Sequence, residues 1–241
     1  MMDDASFARH AVSLVDLTDL SDDPHAEQIA ALTTRALALP IPVAALCMWP
    51  RFVAQTSKAL KKSPIKVATV VNFPHGGEDI ATTCEETKRA LQDGADEIDL
   101  VLPWKAFLDG RTQEAARMIR AVRAACESAH LKVILETGAL QDEHAIRAAS
   151  RLALAEGADF LKTSTGKIAI SATPESARIM LEEIKLSGQD VGFKASGGLR
   201  TFEQARLYFD LAEHIMGKNW ATPNHFRYGA SALLDTLLEK F

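Results

Sequence analysis

Apolar residues in this chain fall into short blocks separated by longer amphipathic stretches. Val43-Ala44-Ala45-Leu46-Cys47, Lys66 to Val71, Asp96 to Leu102, Lys132-Val133-Ile134-Leu135-Glu136, Ala158 to Lys162 and Asp190 to Lys194 are the clear blocks. Most are closed by turn formers, among them Pro50, Asn72-Phe73-Pro74-His75-Gly76-Gly77, Pro103 and Thr137-Gly138. Short apolar runs bounded this way read as buried strands. Weaker blocks around His214-Ile215-Met216-Gly217 and Phe226-Arg227-Tyr228-Gly229 complete a set of eight.

The intervening stretches carry helical periodicity. Asp79 to Gln92 places Ile80, Cys84, Thr87 and Leu91 on one face, and Arg111 to Ser128 does the same with Ala115, Met118, Ile119, Val122 and Cys126. Thr173-Pro174-Glu175 and Thr201-Phe202-Glu203 read as helix starts, with an N-cap hydroxyl and an early glutamate. Strand and helix alternate along the chain, which predicts a parallel sheet with crossover helices. Eight such units in 241 residues predict a single-domain (β/α)8 barrel of the TIM type, over residues 1–241. Asp22 to Leu39 reads as an extra amphipathic helix before the first strand, placed to plug the bottom of the barrel.

Composition narrows the function classes. The net charge of −5 argues against a nucleic-acid partner. No stretch reaches the roughly 18 apolar residues of a membrane span, and the acidic Met-Met-Asp-Asp start is unlike a signal peptide. Cys47, Cys84 and Cys126 match no disulfide or metal spacing, so a reducing cytoplasm is expected. The seven histidines scatter mostly over helices and loops, which disfavours a metal site at the strand ends.

The chemistry-bearing residues follow the apolar blocks, at the carboxyl ends of the expected strands, where barrels keep their active sites. Lys162 ends one block and leads into Thr163-Ser164-Thr165-Gly166-Lys167; Lys194 ends the next and leads into Ala195-Ser196-Gly197-Gly198. Lys162 shares strand parity with Ala158 and Phe160 and is expected to point into the lumen. Two inward lysines on strands about 4.8 Å apart depress each other's pKa, and a neutral amine attacks carbonyls. Spacing alone does not say which lysine is the nucleophile, and a surface lysine or a phosphate-binding lysine is the competing reading. Asp99 shares parity with Glu97 and Val101; it is read either as a proton relay for a lysine or as a structural ion-pair partner.

Gly166, Lys167, Gly197, Gly198, Gly229 and Ser231 read as phosphate cradles beside helix starts. Asp16 and Thr18 precede the expected first helix; they either reach the pocket rim or cap that helix. Cys47 either lines the pocket or fills core space, and His75 has no evident partner.

The segment Gly157 to Lys167 resembles the active-site segment of deoxyribose-phosphate aldolases, and Val191 to Arg200 resembles their second lysine segment. Asp16-Leu17-Thr18, Pro50-Arg51-Phe52, Asn72 to Gly76, Asp96 to Asp99, Leu135 to Gly138 and Phe226 to Ser231 are similar too, in order over almost the whole chain. The resemblance implies a class I, metal-free aldolase on a (β/α)8 barrel, needing no cofactor. Its expected partners are a phosphosugar and aldehydes, and a homodimer is its expected assembly. It assigns imine formation to Lys162, the pKa effect to Lys194 and proton transfer to Asp99 with Lys194. Asp16, Thr18, Cys47 and Thr165 are then the expected substrate contacts. One departure stands out: some relatives carry two serines at the last helix start, where this chain has Ser231 followed by Ala232. The runner-up readings are another Schiff-base barrel aldolase or transaldolase, and a non-catalytic phosphosugar-binding barrel.

Overall fold

The computed structural model of the chain describes residues 2–241. Eight parallel strands form a closed barrel in sequence order: β1 (Val15–Asp19), β2 (Ala45–Met48), β3 (Lys66–Val71), β4 (Glu97–Val101), β5 (His130–Ile134), β6 (Phe160–Lys162), β7 (Gly192–Ser196) and β8 (Phe226–Ala230), which pairs back to β1. The helices are α1 (Asp4–Ser13), α2 (Ala26–Leu37), α3 (Val53–Leu60), α4 (Ile80–Gln92), α5 (Trp104–Leu108), α6 (Thr112–Cys126), α7 (Thr137–Leu140), α8 (Glu143–Ala155), α9 (Pro174–Ser187), α10 (Phe202–Met216) and α11 (Leu233–Leu238). This is the expected TIM barrel.

Alternation along the strands sorts residues between two environments. Outward Leu46, Val67, Ile98, Val133, Leu161, Phe193 and Tyr228 join the large core between strands and helices. On β2 and β3 the lumen face is apolar, with Ala45, Cys47, Ala68 and Val70 clustered under Leu20. The lumen face of the remaining strands is charged. Phe160 faces inward as parity requires, with Lys132 and Arg227 over its ring, and Gly192 leaves it room: a Cβ there would sit 2.3 Å from that ring.

Helix starts follow local chemistry. Thr173 and Thr201 cap α9 and α10, each accepting from the backbone N–H three residues on, with Ser176 and Gln204 returning the bond. Asp79 and Asp142 cap α4 and α8 likewise.

Two expectations are corrected. His214–Met216 is no strand but the last turn of α10, where Ala212 continues a buried stripe that starts at Phe202. The true missing strand is β1, and Asp22 to Leu39 contains α2, which connects β1 to β2 instead of preceding the first strand. Val15-Asp16-Leu17-Thr18-Asp19 lacks an apolar run because its inward positions are polar. The helix before the first strand is α1, which packs on α10 through Phe7 against Phe202 and Phe209 and also lies against α11. Neither helix fills the bottom of the barrel, where a cavity of about 700 Å³ is bordered by Pro42, Lys66, Glu97, His130, Pro223 and Arg227.

Candidate active site

Lys162, the last residue of β6, is the register partner of Lys194 on β7. Both side-chain nitrogens reach the same oxygen of Asp99, which stands on β4 across the lumen: Nζ to Oδ2 is 2.8 Å for Lys162 and 2.7 Å for Lys194. The other oxygen of Asp99 accepts from Lys132 of β5 at 2.9 Å. Asp16 of β1 lies 2.5 Å from Lys194, so this lysine sits between two carboxylates where Lys162 bonds one. Gly229 makes space for the Lys194 stem, since a Cβ there would come within 3.0 Å of Lys194 Cε.

That asymmetry separates the two amines. Burial drives the Lys162 pKa down; Asp99 pulls it up, Lys194 pushes it further down, and the balance is a lowered value. Burial works against charge on Lys194 too, but Asp16 and Asp99 outweigh it and hold the ammonium charged. Asp99 is held well below the usual carboxylate range: burial would raise it, and the three surrounding lysines overcome that.

Above these charges lies a cavity of about 330 Å³ at the carboxyl ends of the strands. Lys162 borders it, with Thr18, Thr165, Gly166, Lys167, Gly197, Gly198, Gly229 and Ser231. Gly166, Gly197 and Gly198 have φ of 78°, 87° and 80°, the left-handed region that glycine enters freely. At Gly197 a Cβ would also strike Ser171 at 2.5 Å. Lys167 stands on the rim, where its Nζ is 2.5 Å from the exposed Asp22.

Nine of the thirteen candidate residues therefore share one cavity wall. The other four, Asp16, Cys47, Asp99 and Lys194, are fully buried beneath it and do not border it. Asp16 is a strand residue inside the lumen, so neither a rim position nor a helix cap describes it. Thr18 borders the cavity while donating its hydroxyl to the Asp16 carbonyl at 2.7 Å. Cys47 packs in the apolar lumen cluster, and burial raises its thiol pKa.

Sequence reasoning missed three charged residues of the lumen. Lys132 bonds Glu97 at 2.5 Å as well as Asp99. Arg227 of β8 donates to Asp16 at 2.6 Å and to Glu97 at 2.9 Å. The available signal was a charge inside an apolar run with the parity of a lumen residue, as at Lys132 between Leu131 and Val133. Glu136, buried and at φ 57°, accepts from the Thr165 N–H and hydroxyl and thereby anchors the segment that carries Gly166 and Lys167.

The arrangement can present one amine of lowered basicity to a small carbonyl compound, with a carboxylate and a fixed cation behind it. At the far end, glycine turns and a lysine offer N–H donors to an anion.

The chain matches the model of the DeoC/LacD family aldolases over residues 10–238. It is 55% identical over 229 residues to a curated deoxyribose-phosphate aldolase of Agrobacterium fabrum, covering 94% of this chain and 88% of that protein. A crystal structure from Coccidioides immitis, provisionally named a deoxyribose-phosphate aldolase, is similar with a TM-score of 0.86 at 31% identity, covering 96% of this chain and 86% of that one. One from Toxoplasma gondii, with the same provisional name, gives 0.90 at 27% identity over 98% and 96% of the two chains. This chain belongs to the DeoC/LacD aldolase family.

Proposed function

We propose that the chain is a class I deoxyribose-phosphate aldolase, cleaving 2-deoxy-D-ribose 5-phosphate reversibly to D-glyceraldehyde 3-phosphate and acetaldehyde. The carrying observation is that Lys162, alone among the described lumen lysines, borders the cavity whose far wall is built of Gly166, Lys167, Gly197 and Gly198.

The reaction follows from these positions. The neutral Lys162 amine adds to the C1 aldehyde of the open-chain sugar, and the adduct takes up one proton and loses water to leave a protonated imine. The C3 hydroxyl gives its proton to the Asp99–Lys194 pair through water, and the C2–C3 bond breaks. Its electrons pass to the iminium nitrogen, so the fragment on the lysine is a neutral enamine and C3 becomes the aldehyde of the departing product. Protonation of the enamine carbon and addition of water release acetaldehyde and the proton taken up when the imine formed, and restore the neutral amine. The phosphate, held away from the bond that breaks, orients the sugar by binding energy spent at a distance.

On this reading Thr18 and Thr165, which border the cavity, contact the sugar, and Gly229 and Ser231 complete the phosphate end. Asp16 serves from below by holding Lys194 charged, and Cys47 serves as lumen wall. With Ala232 beside Ser231 the phosphate end has one hydroxyl where some relatives are expected to have two. A single catalytic domain spanning residues 1–241, a homodimeric assembly and work in the cytoplasm on nucleoside-derived sugars complete the proposal. Among the described residues no helix is long and apolar enough to cross a membrane.

Release of D-glyceraldehyde 3-phosphate from 2-deoxyribose 5-phosphate, coupled to a dehydrogenase, tests the substrate. Turnover supports the proposal. Turnover only with other phosphosugars moves the assignment to another Schiff-base aldolase, and binding without turnover moves it to a sugar-phosphate binder.

A further inference from the structure

The lumen below Lys162 holds more charge than the proposed reaction uses. Asp16 on β1, Glu97 and Asp99 on β4, Lys132 on β5, Lys194 on β7 and Arg227 on β8 are all at most 3% exposed. They form one connected cluster. Arg227 bridges Asp16 and Glu97, Lys132 bridges Glu97 and Asp99, and Lys194 bridges Asp99 and Asp16. Three carboxylates therefore face three cations, and this ring is neutral before Lys162 is counted.

From this closure we infer that Arg227 and Glu97 are positioning residues for the reaction: they form the floor of a ring that is electrically balanced when Lys162 is an uncharged amine. The inference rests on the reading of Lys162 as the imine-forming residue.

The other groups near Lys162 leave the ring intact. Cys47 on β2 is a buried thiol pushed toward its neutral form. The lumen face of β3 carries Ala68 and Val70, which do not titrate. Glu136, beyond the end of β5, makes no ion pair among the described residues; its oxygens take the two Thr165 donors, and burial raises its carboxyl against a smaller pull from Lys162. A proton on Lys162 therefore adds a charge that the ring does not balance, in a lumen with little water to screen it. Arg227 also fixes geometry. Its guanidinium holds one oxygen of Asp16, leaving the other turned to Lys194, and its Nε is tied to the Pro223 carbonyl at the barrel bottom. Glu97 and Arg227 border the bottom cavity, so the floor is reached from the face opposite the substrate.

The test is the pH dependence of reductive trapping on Lys162, with acetaldehyde as probe, alongside the pH profile of kcat/KM. Arg227→Met leaves a surplus negative charge that a Lys162 proton satisfies, so both midpoints should move up. A shift of one unit means about tenfold less adduct at a fixed pH below the midpoint. Glu97→Gln leaves a surplus positive charge and should move both midpoints down. Arg227→Met combined with Glu97→Gln restores the balance and should return them toward the parent values. A packing role predicts no such opposition of sign. Should Arg227→Met fail to fold, Arg227→Lys, expected to keep the parent midpoint, and Glu97→Gln, expected to lower it, carry the test. Unmoved midpoints in the folded single variants, or shifts of the same sign, overturn the inference. Absence of an adduct on Lys162 in the parent protein overturns instead the Schiff-base reading beneath it.

Discussion

Lys162 and Lys194 are register partners that donate to one and the same oxygen of Asp99, yet only Lys162 borders the upper cavity. Lys162 is 2% exposed and Lys194 0%, so burial alone does not distinguish them. Asp16 does. It gives Lys194 a second carboxylate at 2.5 Å, and the two amines then move in opposite directions from the ordinary lysine value.

Replacing Lys194 by Met removes the like charge that helps lower the Lys162 pKa. It also leaves Asp16 and Asp99 one cation short. The Lys162 amine then holds its proton to higher pH. Activity near neutrality falls at least tenfold and the alkaline arm of the profile rises, as a pH series of kcat/KM will show. Breaking a buried pair costs stability as well, about 3–5 kcal/mol by general experience, visible as a lower Tm.

Asp22 competes with any anion for Lys167, because its exposed carboxylate sits 2.5 Å from the Lys167 ammonium on the cavity rim. Exposed pairs of this kind are worth about 0.2–1 kcal/mol, equivalent to at most about fivefold in affinity. Asp22→Asn should lower KM for the phosphorylated sugar within that range and leave turnover of unphosphorylated 2-deoxyribose unchanged. Steady-state kinetics with both sugars decides it.

Gly138, in α7, allows the segment after β6 to lie close. A Cβ at this position would fall 1.9 Å from the Ile170 carbonyl oxygen. Gly138→Ala must displace the chain around Ile170, three residues beyond Lys167. KM for the phosphosugar should rise several-fold, with a loss of about 1–3 kcal/mol in stability as for other overpacked sites. Kinetics and thermal melts of this variant measure both.

Asp16 and Asp99 both have carboxyl pKa values below their ordinary value of 3.8, because the lumen cations outweigh burial. Groups depressed on folding contribute stability above their unfolded pKa and lose it as pH falls toward the folded one. Tm should therefore hold steady near neutrality and drop below about pH 4. Glu136, raised by burial, acts in the opposite sense but is one group against three, since Glu97 is depressed as well. In Asp16→Asn the acid drop should be shallower, which calorimetry across the pH range will register.

Much of this protein was visible in its residue pattern, and the omissions share a cause. β2–β7 were legible because apolar runs ended in turn formers, and Phe160 and Lys162 sit inward as their parity required. β1 escaped because Asp16 and Thr18 face a polar lumen and break the apolar run. The false strand at His214–Met216 arose because a few apolar residues at a helix end look like a short strand when read without the stripe before them. The lysine segments and glycine turns converge as expected. Lys132, Glu97 and Arg227 were invisible as a set because ion pairing among far-apart strands depends on barrel closure, which no local pattern contains.

Borohydride trapping tests the central claim most directly. The protein is incubated with acetaldehyde or 2-deoxyribose 5-phosphate, reduced, digested and mapped by mass spectrometry, beside a Lys162→Ala control. The account predicts one adduct, on the peptide containing Lys162, and no adduct and more than about a thousandfold loss of kcat in the control. An adduct on Lys194, or turnover retained without Lys162, would contradict it.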